Sequence, residues 1–477
     1  MIYELHKGDS RDILPDLIKK GMQVDSIVTD PPYHLTGKTN KEKGFMGKKW
    51  DGGDIAQDPE FWKLCYQILK PGGYLLAFSS TRTYHDMASA IADDGTEFKI
   101  VYNLTDDIPE DIKKEIEEEI NNNIQLTEEQ FLKLPEKYKK YFKSEIKKVR
   151  VSPGFEIRDQ IGWLYGNGFP KSHNVSKAID KHLGKDGTIA GTRTHPTLKD
   201  KSKIDRQNKQ QFHGKNSIKD EWEIIVPESE EAKQWEGWGT ALKPAWEPIC
   251  VARKPLDAGL TVAENVLKYG TGGINIDASR IPSDDIIITK GRGAESAKSK
   301  GIYGDSKQQE THQTPGQKMG RFPANIIHDG SEEVMEEFAK YGTLKSGSNC
   351  VRSKEGYFGA GDTKHGGLGK EGDVQITYGD SGSAARFFYS AKASAEDRAG
   401  SNHAIVKPIA LMSHLCKMVT PPKGIVLDPF AGSGTTGQAA VESGFYPILI
   451  EKEPEYQNDI ETRMKKLESD AFYTVFE

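Results

Sequence analysis

A glycine-rich turn from strand to helix sits near the end of this chain, where little sequence is left to build on it. Ile425-Val426-Leu427 reads as a buried strand and Thr435 to Ser443 as a helix. Between them runs Asp428-Pro429-Phe430-Ala431-Gly432-Ser433-Gly434-Thr435-Thr436-Gly437. Glycines in such a turn let the backbone bend tightly and approach a ligand, and the helix N-terminus offers unpaired N–H groups. In a doubly wound α/β sheet a turn of this kind normally follows the first strand. Here only Pro447 to Ile450 remains as a strand and Glu455 to Leu467 as a helix. Two strands cannot make a doubly wound sheet. The C-terminal strands must therefore join N-terminal ones, with the middle of the chain inserted between them.

The N-terminal 95 residues alternate as an α/β domain should. Ile2 to Leu5, Val24 to Thr29 and Tyr74 to Phe78 read as strands, and Arg11 to Lys20, Phe61 to Lys70 and Thr83 to Ala92 as helices. Pro71-Gly72-Gly73 ends the second helix. Tyr74-Leu75-Leu76-Ala77-Phe78 is almost continuously apolar, as a strand covered on both faces of a parallel sheet is. Ile409 to Val419 reads as a helix closed by Thr420-Pro421-Pro422.

The middle is different in character. Residues 96–153 carry Ile112, Ile116 and Ile120 at helical spacing, and Phe131, Leu132, Tyr138, Tyr141 and Phe142 suggest a second helix, so a charged helical insertion is expected there. Strand character returns over 155–166. From about 171 to 385 the periodicity weakens, with a basic stretch at Lys181, Lys185, Arg193, Lys199, Lys201, Lys203, Arg206 and Lys209 and a Gly-rich stretch over 356–382. The expected organisation is 1–95 and 154–180 as one half of an α/β domain, 96–153 as an insertion, 181–385 as a recognition region and 386–477 as the other half.

Composition removes several classes. The chain has 477 residues, 36% hydrophobic and 29% charged, with a mean hydropathy of −0.64. No apolar run approaches the roughly 20 residues that span a bilayer, so no membrane association is expected. Met1 to Lys7 has no basic region followed by an apolar core and does not read as a signal peptide. Cys65, Cys250, Cys350 and Cys416 are scattered, which argues against a disulfide framework and against zinc, and no metal site is expected. A reducing cytoplasm is the expected setting. The net charge of −6 argues against a protein that is basic all over, but not against a local basic face.

Two motifs carry chemistry. Gly432 to Gly437 matches G-x-G-x-x-G, and Glu451 follows the next strand, placed to bind ribose hydroxyls. Together they fit a nucleoside-containing cofactor, either a dinucleotide or S-adenosylmethionine. The second motif is Asp30-Pro31-Pro32-Tyr33, directly after a strand. Its prolines stiffen the turn and remove two backbone donors, which leaves the Asp30 carboxylate and main-chain carbonyls as acceptors beside the Tyr33 ring. An acceptor cluster next to a flat ring suits a planar base with an exocyclic amino group.

Asp30-Pro31-Pro32-Tyr33 resembles the (D/N/S)PP(Y/F/W) motif of amino-group DNA methyltransferases, and Asp428 to Thr436 is similar to their S-adenosylmethionine loop. Lys70-Pro71-Gly72-Gly73, Gly168-Phe169-Pro170-Lys171-Ser172 and Val406-Lys407-Pro408 are further matches to bacterial and phage-type members. The resemblance covers about residues 1–95, 155–180 and 386–470 and follows the family's β-type motif order. It implies a Rossmann-like class I methyltransferase fold: a doubly wound, mostly parallel sheet assembled from both chain ends, with an inserted target-recognition region.

The resemblance also implies roles. Asp30 and the Pro31 carbonyl hold the target amine within the Pro31-Pro32 turn, and Tyr33 stacks on the flipped base. Asp428, Pro429, Phe430, Gly432, Gly434, Thr435 and Thr436 form the cofactor loop. Glu451 takes the ribose hydroxyls, Asp9 contacts the adenine end, and Lys407-Pro408 lies near the methionine portion. His403-Ala404-Ile405-Val406-Lys407-Pro408 departs from the more usual His-Pro-Thr-x-Lys-Pro, which weakens a cofactor role for His403. The implied activity is methyl transfer from S-adenosylmethionine to the N6 amine of adenine in double-stranded DNA. Asp at the first motif position goes mostly with adenine in the family and Ser with cytosine, so N4-cytosine methylation is the alternative. A homodimer and a cognate restriction endonuclease are implied partners. A nicotinamide-dependent oxidoreductase is a weaker reading, since it leaves Asp30-Pro31-Pro32-Tyr33 unexplained.

Overall fold

The structure is a computed structural model that describes residues 2–35, 53–93, 95, 97–105, 108–120, 125–149, 154–166, 168, 172–194, 221–283, 313–342, 344–345, 350–351, 374–375, 381–391, 394–401 and 406–474. Two compact units emerge, Met1–Gly166 with Trp246–Glu477, and Asn167–Ala245.

The larger unit is built on a nine-stranded sheet. Its strands in chain order are β1 (Glu4–Lys7), β2 (Val24–Thr29), β3 (Leu69–Phe78), β4 (Glu156–Leu164), β5 (Trp246–Arg253), β6 (Ile326–His328), β7 (Tyr389–Ser390), β8 (Ile425–Asp428) and β9 (Tyr446–Glu451). Across the sheet they run β1-β9-β8-β2-β3-β5-β4-β6-β7. Only β5 is reversed: it is antiparallel to both β3 and β4, while every other neighbouring pair is parallel. The doubly wound sheet drawn from both chain ends is thus observed, with the C-terminal strands β8 and β9 between β1 and β2.

Strand alternation explains why both faces are covered. Ile27, Leu75, Leu427 and Ile448 point to one core, where they meet α1 (Ser10–Lys19), α2 (Pro59–Ile68) and α3 (Tyr84–Ala92) through Leu14, Phe61, Trp62 and Met87. Val28, Leu76, Phe78 and Val426 point the other way, onto α4 (Ile409–Val419) and α5 (Thr435–Glu442) through Leu411, Leu415 and Ala439. The period of two along each strand sends neighbours to opposite faces, which helices then shield from water. The last helix, α6 (Pro454–Thr474), packs Ile460 and Met464 on Leu449.

Several local expectations are corrected. The helix expected over Phe61 to Lys70 stops at Ile68, and β3 begins at Leu69, before Pro71-Gly72-Gly73. The register with β2 jumps there, from Val24–Leu69 to Ser26–Tyr74, so the Pro-Gly-Gly step is an irregularity within the strand. Gly72 makes it possible, with φ of +78° and Asn265 Nδ2 only 2.5 Å from where a Cβ would stand.

The insertion at 96–153 is not purely helical. It holds an antiparallel sheet of Glu97–Leu104, Gln125–Thr127 and Phe142–Val149, with its own core of Ile116, Ile120, Leu126, Leu134 and Tyr138. The expected second helix is two short ones, Glu128–Lys133 and Glu136–Lys139, separated at Pro135, and Phe142 opens a strand. Proline cannot continue the first helix, because it lacks the N–H that helix would use.

The stretch 181–385 is not one recognition region either. It supplies β5 and β6 to the central sheet, and the compact boundary falls at Gly166 and Trp246 rather than at 180. The smaller unit holds a helix at Val175–His182, an antiparallel pair of strands, Thr188–Thr194 with Glu221–Val226, and a helix at Glu230–Gln234. Lys199, Lys201, Lys203, Arg206 and Lys209 lie outside the described residues, as do His403 and most of 356–382.

Gly437 shows how closely α5 approaches the sheet: a Cβ there would stand 2.6 Å from Leu449 Cδ1 and 3.3 Å from Met464 Cε. The variant Gly437→Val should therefore lose about 1–3 kcal/mol of stability, the usual cost of overpacking a core. Denaturant unfolding of the two proteins measures it, and equal midpoints would contradict this packing.

Candidate active site

The C-terminal ends of β2, β8 and β9 open into one crevice, the position at which open α/β sheets bind ligands. A cavity of about 440 Å³ lies there, in the range typical of ligand sites. Asp30 to Tyr33 form one wall, and Asp428 to Ser433 with Thr435, Thr436 and Glu451 form another. Asp9, Ser10 and Arg11, from the start of α1, close a third side. Two motifs nearly 400 residues apart in sequence therefore face one space. Gly434 and Pro408 are not in its lining. Gly434 shapes the turn, and Pro408 caps α4, accepting the Met412 N–H at 3.1 Å.

The glycine-rich turn is shaped by backbone that side chains rarely adopt. Gly432 has φ of +52° and Gly434 of +83°, and a Cβ on Gly434 would stand 3.0 Å from Ile460 Cγ1. Asp428 is 1% exposed. Its Oδ1 accepts from Thr29 Oγ1 at 2.6 Å and from the Phe430 N–H at 3.0 Å, which ties β8 to β2 and turns the chain into the loop. Burial pushes this carboxyl up to about 6, against the pull of the Thr29 and Thr436 hydroxyls. Ser10 Oγ donates to the Pro429 carbonyl and joins the start of α1 to the same loop.

Glu451 ends β9 beneath the turn. Its Oε2 accepts the Gly432 N–H at 2.7 Å and its Oε1 the Glu453 N–H at 2.8 Å. Each oxygen keeps a further lone pair for a hydroxyl donor. Burial pushes this group up to about 7, partly offset by the two backbone donors. Asp9 behaves oppositely. The Arg11 guanidinium on both of its oxygens, with Lys452 Nζ at 3.1 Å, holds it well below the usual carboxylate range despite partial burial. Its carboxylate is already engaged, so Arg11 and Lys452 share whatever contact Asp9 makes in the cavity.

The Asp30-Pro31-Pro32-Tyr33 turn is held from several sides. Thr83 Oγ1 donates to the Tyr33 carbonyl at 3.0 Å. His34 follows with φ of +54°, in the left-handed region, and its Nε2 accepts the Ala56 N–H at 3.2 Å. Tyr33 Oη donates to Asp30 Oδ1 at 2.8 Å and lies 3.1 Å from Glu247 Oε2. Lys407 Nζ donates to Asp30 Oδ2 at 2.5 Å and to Tyr33 Oη at 3.2 Å, and lies 3.3 Å from Glu247 Oε2. Lys407 is 3% exposed, with the Phe78 ring 4.9 Å from its ammonium. Burial alone would lower its pKa, but the Asp30 and Glu247 carboxylates more than offset that and raise it. Burial, then the same two carboxylates, pushes the Tyr33 hydroxyl well up, so it stays protonated.

Lys407 thus sits on the Asp30 carboxylate rather than only beside the glycine-rich loop. Glu247 escaped the sequence reading altogether. Its one signal was a lone carboxylate between Trp246 and the apolar run Pro248-Ile249-Cys250-Val251-Ala252.

A family model for N6/N4 methyltransferases, described as DNA methylase, matches residues 24–462. DNA adenine methyltransferase YhdJ of Escherichia coli (strain K12) is 41% identical over 76 residues, 16% of this chain and 25% of that protein. Type II methyltransferase M.HindIII of Haemophilus influenzae is 42% identical over 71 residues, 15% of this chain and 23% of that protein. The chain thus matches about a quarter of the length of these curated relatives. The crystal structure of the M1.HpyAVI–SAM complex aligns over 97% of this chain and 98% of its own at 14% identity, with a TM-score of 0.35.

The Lys407 cluster makes a stability prediction. Removing one member of a buried ion pair costs about 3–5 kcal/mol, because the other charge is left uncompensated. The variant Lys407→Met should lose stability of that order at pH 8. Denaturant unfolding of the two proteins at that pH measures it, and equal midpoints would contradict the pairing.

Proposed function

We propose, from the premise that the chain belongs to the DNA methylase family, that it methylates the N6 amine of a flipped adenine in double-stranded DNA with S-adenosylmethionine as methyl donor. The α/β unit has the class I methyltransferase fold. The observation that carries the reading is the meeting of Asp30-Pro31-Pro32-Tyr33 with the Asp428–Ser433 stretch across one cavity.

The residues present fit the donor. The cavity has the volume for a nucleoside with an amino-acid tail, and the glycine turn brings backbone close to it. Glu451, buried and accepting from the Gly432 N–H, is an acceptor for two ribose hydroxyls. Phe430, whose ring lies 5.1 Å from the Phe61 ring, offers an apolar wall. When bound, S-adenosylmethionine supplies an already electrophilic sulfonium methyl. The protein's work is then to place the amine in line with it and to favour charge developing on nitrogen.

Asp30 and the Pro31 carbonyl accept the two amine protons and so orient the nitrogen lone pair towards the methyl. The hydrogen bond from Tyr33 to Asp30 fixes the ring plane on which the flipped base stacks. The adenine assignment is supported by Asp at the first motif position, and by the relative YhdJ being named an adenine methyltransferase. Exposed duplex-binding surface would lie in the inserted regions, with lysines and arginines on phosphates.

The test is incubation with labelled S-adenosylmethionine and unmethylated genomic DNA, followed by mass spectrometry of the nucleosides. N6-methyladenine is expected, and N4-methylcytosine would overturn the adenine assignment while keeping the methyl transfer. Asp30→Ala should abolish turnover and leave donor affinity within about threefold. A mutant methylating at the wild-type rate would sink the assignment of Asp30.

Glu451 adds a pH dependence. Its carboxyl is pushed up to about 7, and only the ionised form accepts from both hydroxyls. Donor affinity should therefore rise roughly tenfold from pH 6 to pH 8, as the proton leaves. Calorimetric titration measures it, and Glu451→Gln should flatten the profile.

A further inference from the structure

Glu247 is the buried carboxylate for which methyl transfer as described has no task. It comes from β5, the one reversed strand, and is 9% exposed. Its Oε2 is 3.1 Å from Tyr33 Oη and 3.3 Å from Lys407 Nζ. Tyr165 leans on the same carboxylate, and burial followed by that contact raises the Tyr165 hydroxyl's pKa. Asp30, Glu247 and Lys407 thus form one enclosed set of two carboxylates and one ammonium.

The charge count is informative. With only Asp30 and Lys407 the set would be neutral, and an ammonium on Asp30 Oδ2 would oppose positive charge growing on a nearby nitrogen. Glu247 makes the set negative by one. It also gives Lys407 a second anionic partner, so the ammonium stays compensated when a substrate amine claims Asp30. Tyr33 Oη bridges the two carboxylates at 2.8 and 3.1 Å, which connects Asp30 to Glu247 by a single hydroxyl.

We propose that Glu247 is a positioning residue for the methyl transfer: through Lys407 and Tyr33 it leaves Asp30 free for the target amine, and it receives the proton that the methylated amine sheds. This rests on the methyl-transfer reading. In the step, the amine lone pair forms the N–C bond as the methyl C–S bond breaks, with that electron pair staying on sulfur. The nitrogen becomes cationic. It passes one proton to Asp30, Tyr33 accepts that proton as it gives its own to Glu247, and Asp30 returns to its carboxylate form. The set ends neutral, with the proton on Glu247.

The experiment compares the full-length wild type with Glu247→Gln, Lys407→Met and the double variant. Glu247→Gln is nearly isosteric and should fold. It is expected to lose about 10²-fold in kcat on unmethylated DNA, the scale of removing one preorganised charge interaction. Its KM for DNA and its affinity for S-adenosylmethionine should stay within about threefold. The double variant restores the count to one net negative charge, so it should be more active than Lys407→Met alone. Its thermal stability without any ligand should also exceed that of Lys407→Met. Glu247→Gln at the wild-type kcat overturns the inference alone, as do purely additive losses in both activity and stability. Wild-type protein without turnover on any DNA overturns the methyl-transfer reading, and the inference with it.

Discussion

Parallel pairing of β8 with β2 is the contact on which the molecule depends. Val426 lies opposite Ser26 and Leu427 opposite Ile27, and Thr29 closes the ladder's end onto Asp428. Asp25 reinforces it from the other end, with its Oδ2 accepting the Ile425 N–H at 2.7 Å and its Oδ1 accepting from Lys70 Nζ at 2.6 Å. This seam places one motif at the tip of β2 and the other at the tip of β8. Without it neither turn has a cavity to line. Each motif is an ordinary local structure, and the chemistry belongs to their adjacency.

The carboxylates around the cavity show how environment divides one residue chemistry into several tasks. Asp9 is surrounded by cations and stays ionised, while Asp428 and Glu451 are enclosed and pushed up. Asp428 spends its oxygens on Thr29 and the Phe430 N–H and acts as a structural staple. Glu451 keeps capacity facing the cavity. Asp30 has a lysine and a tyrosine for company, which fixes its orientation. Desolvation, charge and hydrogen bonding separate these four groups more than their identity does.

What could be read in advance was what local chemistry dictates. Glycines at 432 and 434 need left-handed backbone, and prolines at 31 and 32 stiffen a turn, so both motifs announced themselves. The closure of the sheet by both ends followed from counting strands after the glycine turn. What stayed hidden depends on partners far off in sequence. Lys407 reaches Asp30 across 377 positions, and Glu247 reaches Tyr33 across 214. The run Pro248 to Ala252 looks like a strand, but its reversal between β3 and β4 has no local cause. In the insertion, Pro135 divides the stretch in which the spacing of the aromatics suggested one helix.

The order of the strands also has a consequence in time. β2 is synthesised about 400 residues before its neighbour β8 begins. At roughly 5–20 residues per second, that edge waits for tens of seconds. Until then β2 presents an unpaired row of N–H and C=O groups along that edge to anything that could add a strand. The nascent chain therefore passes through a stage that invites association with other chains, and the arrival of β8 is what ends it.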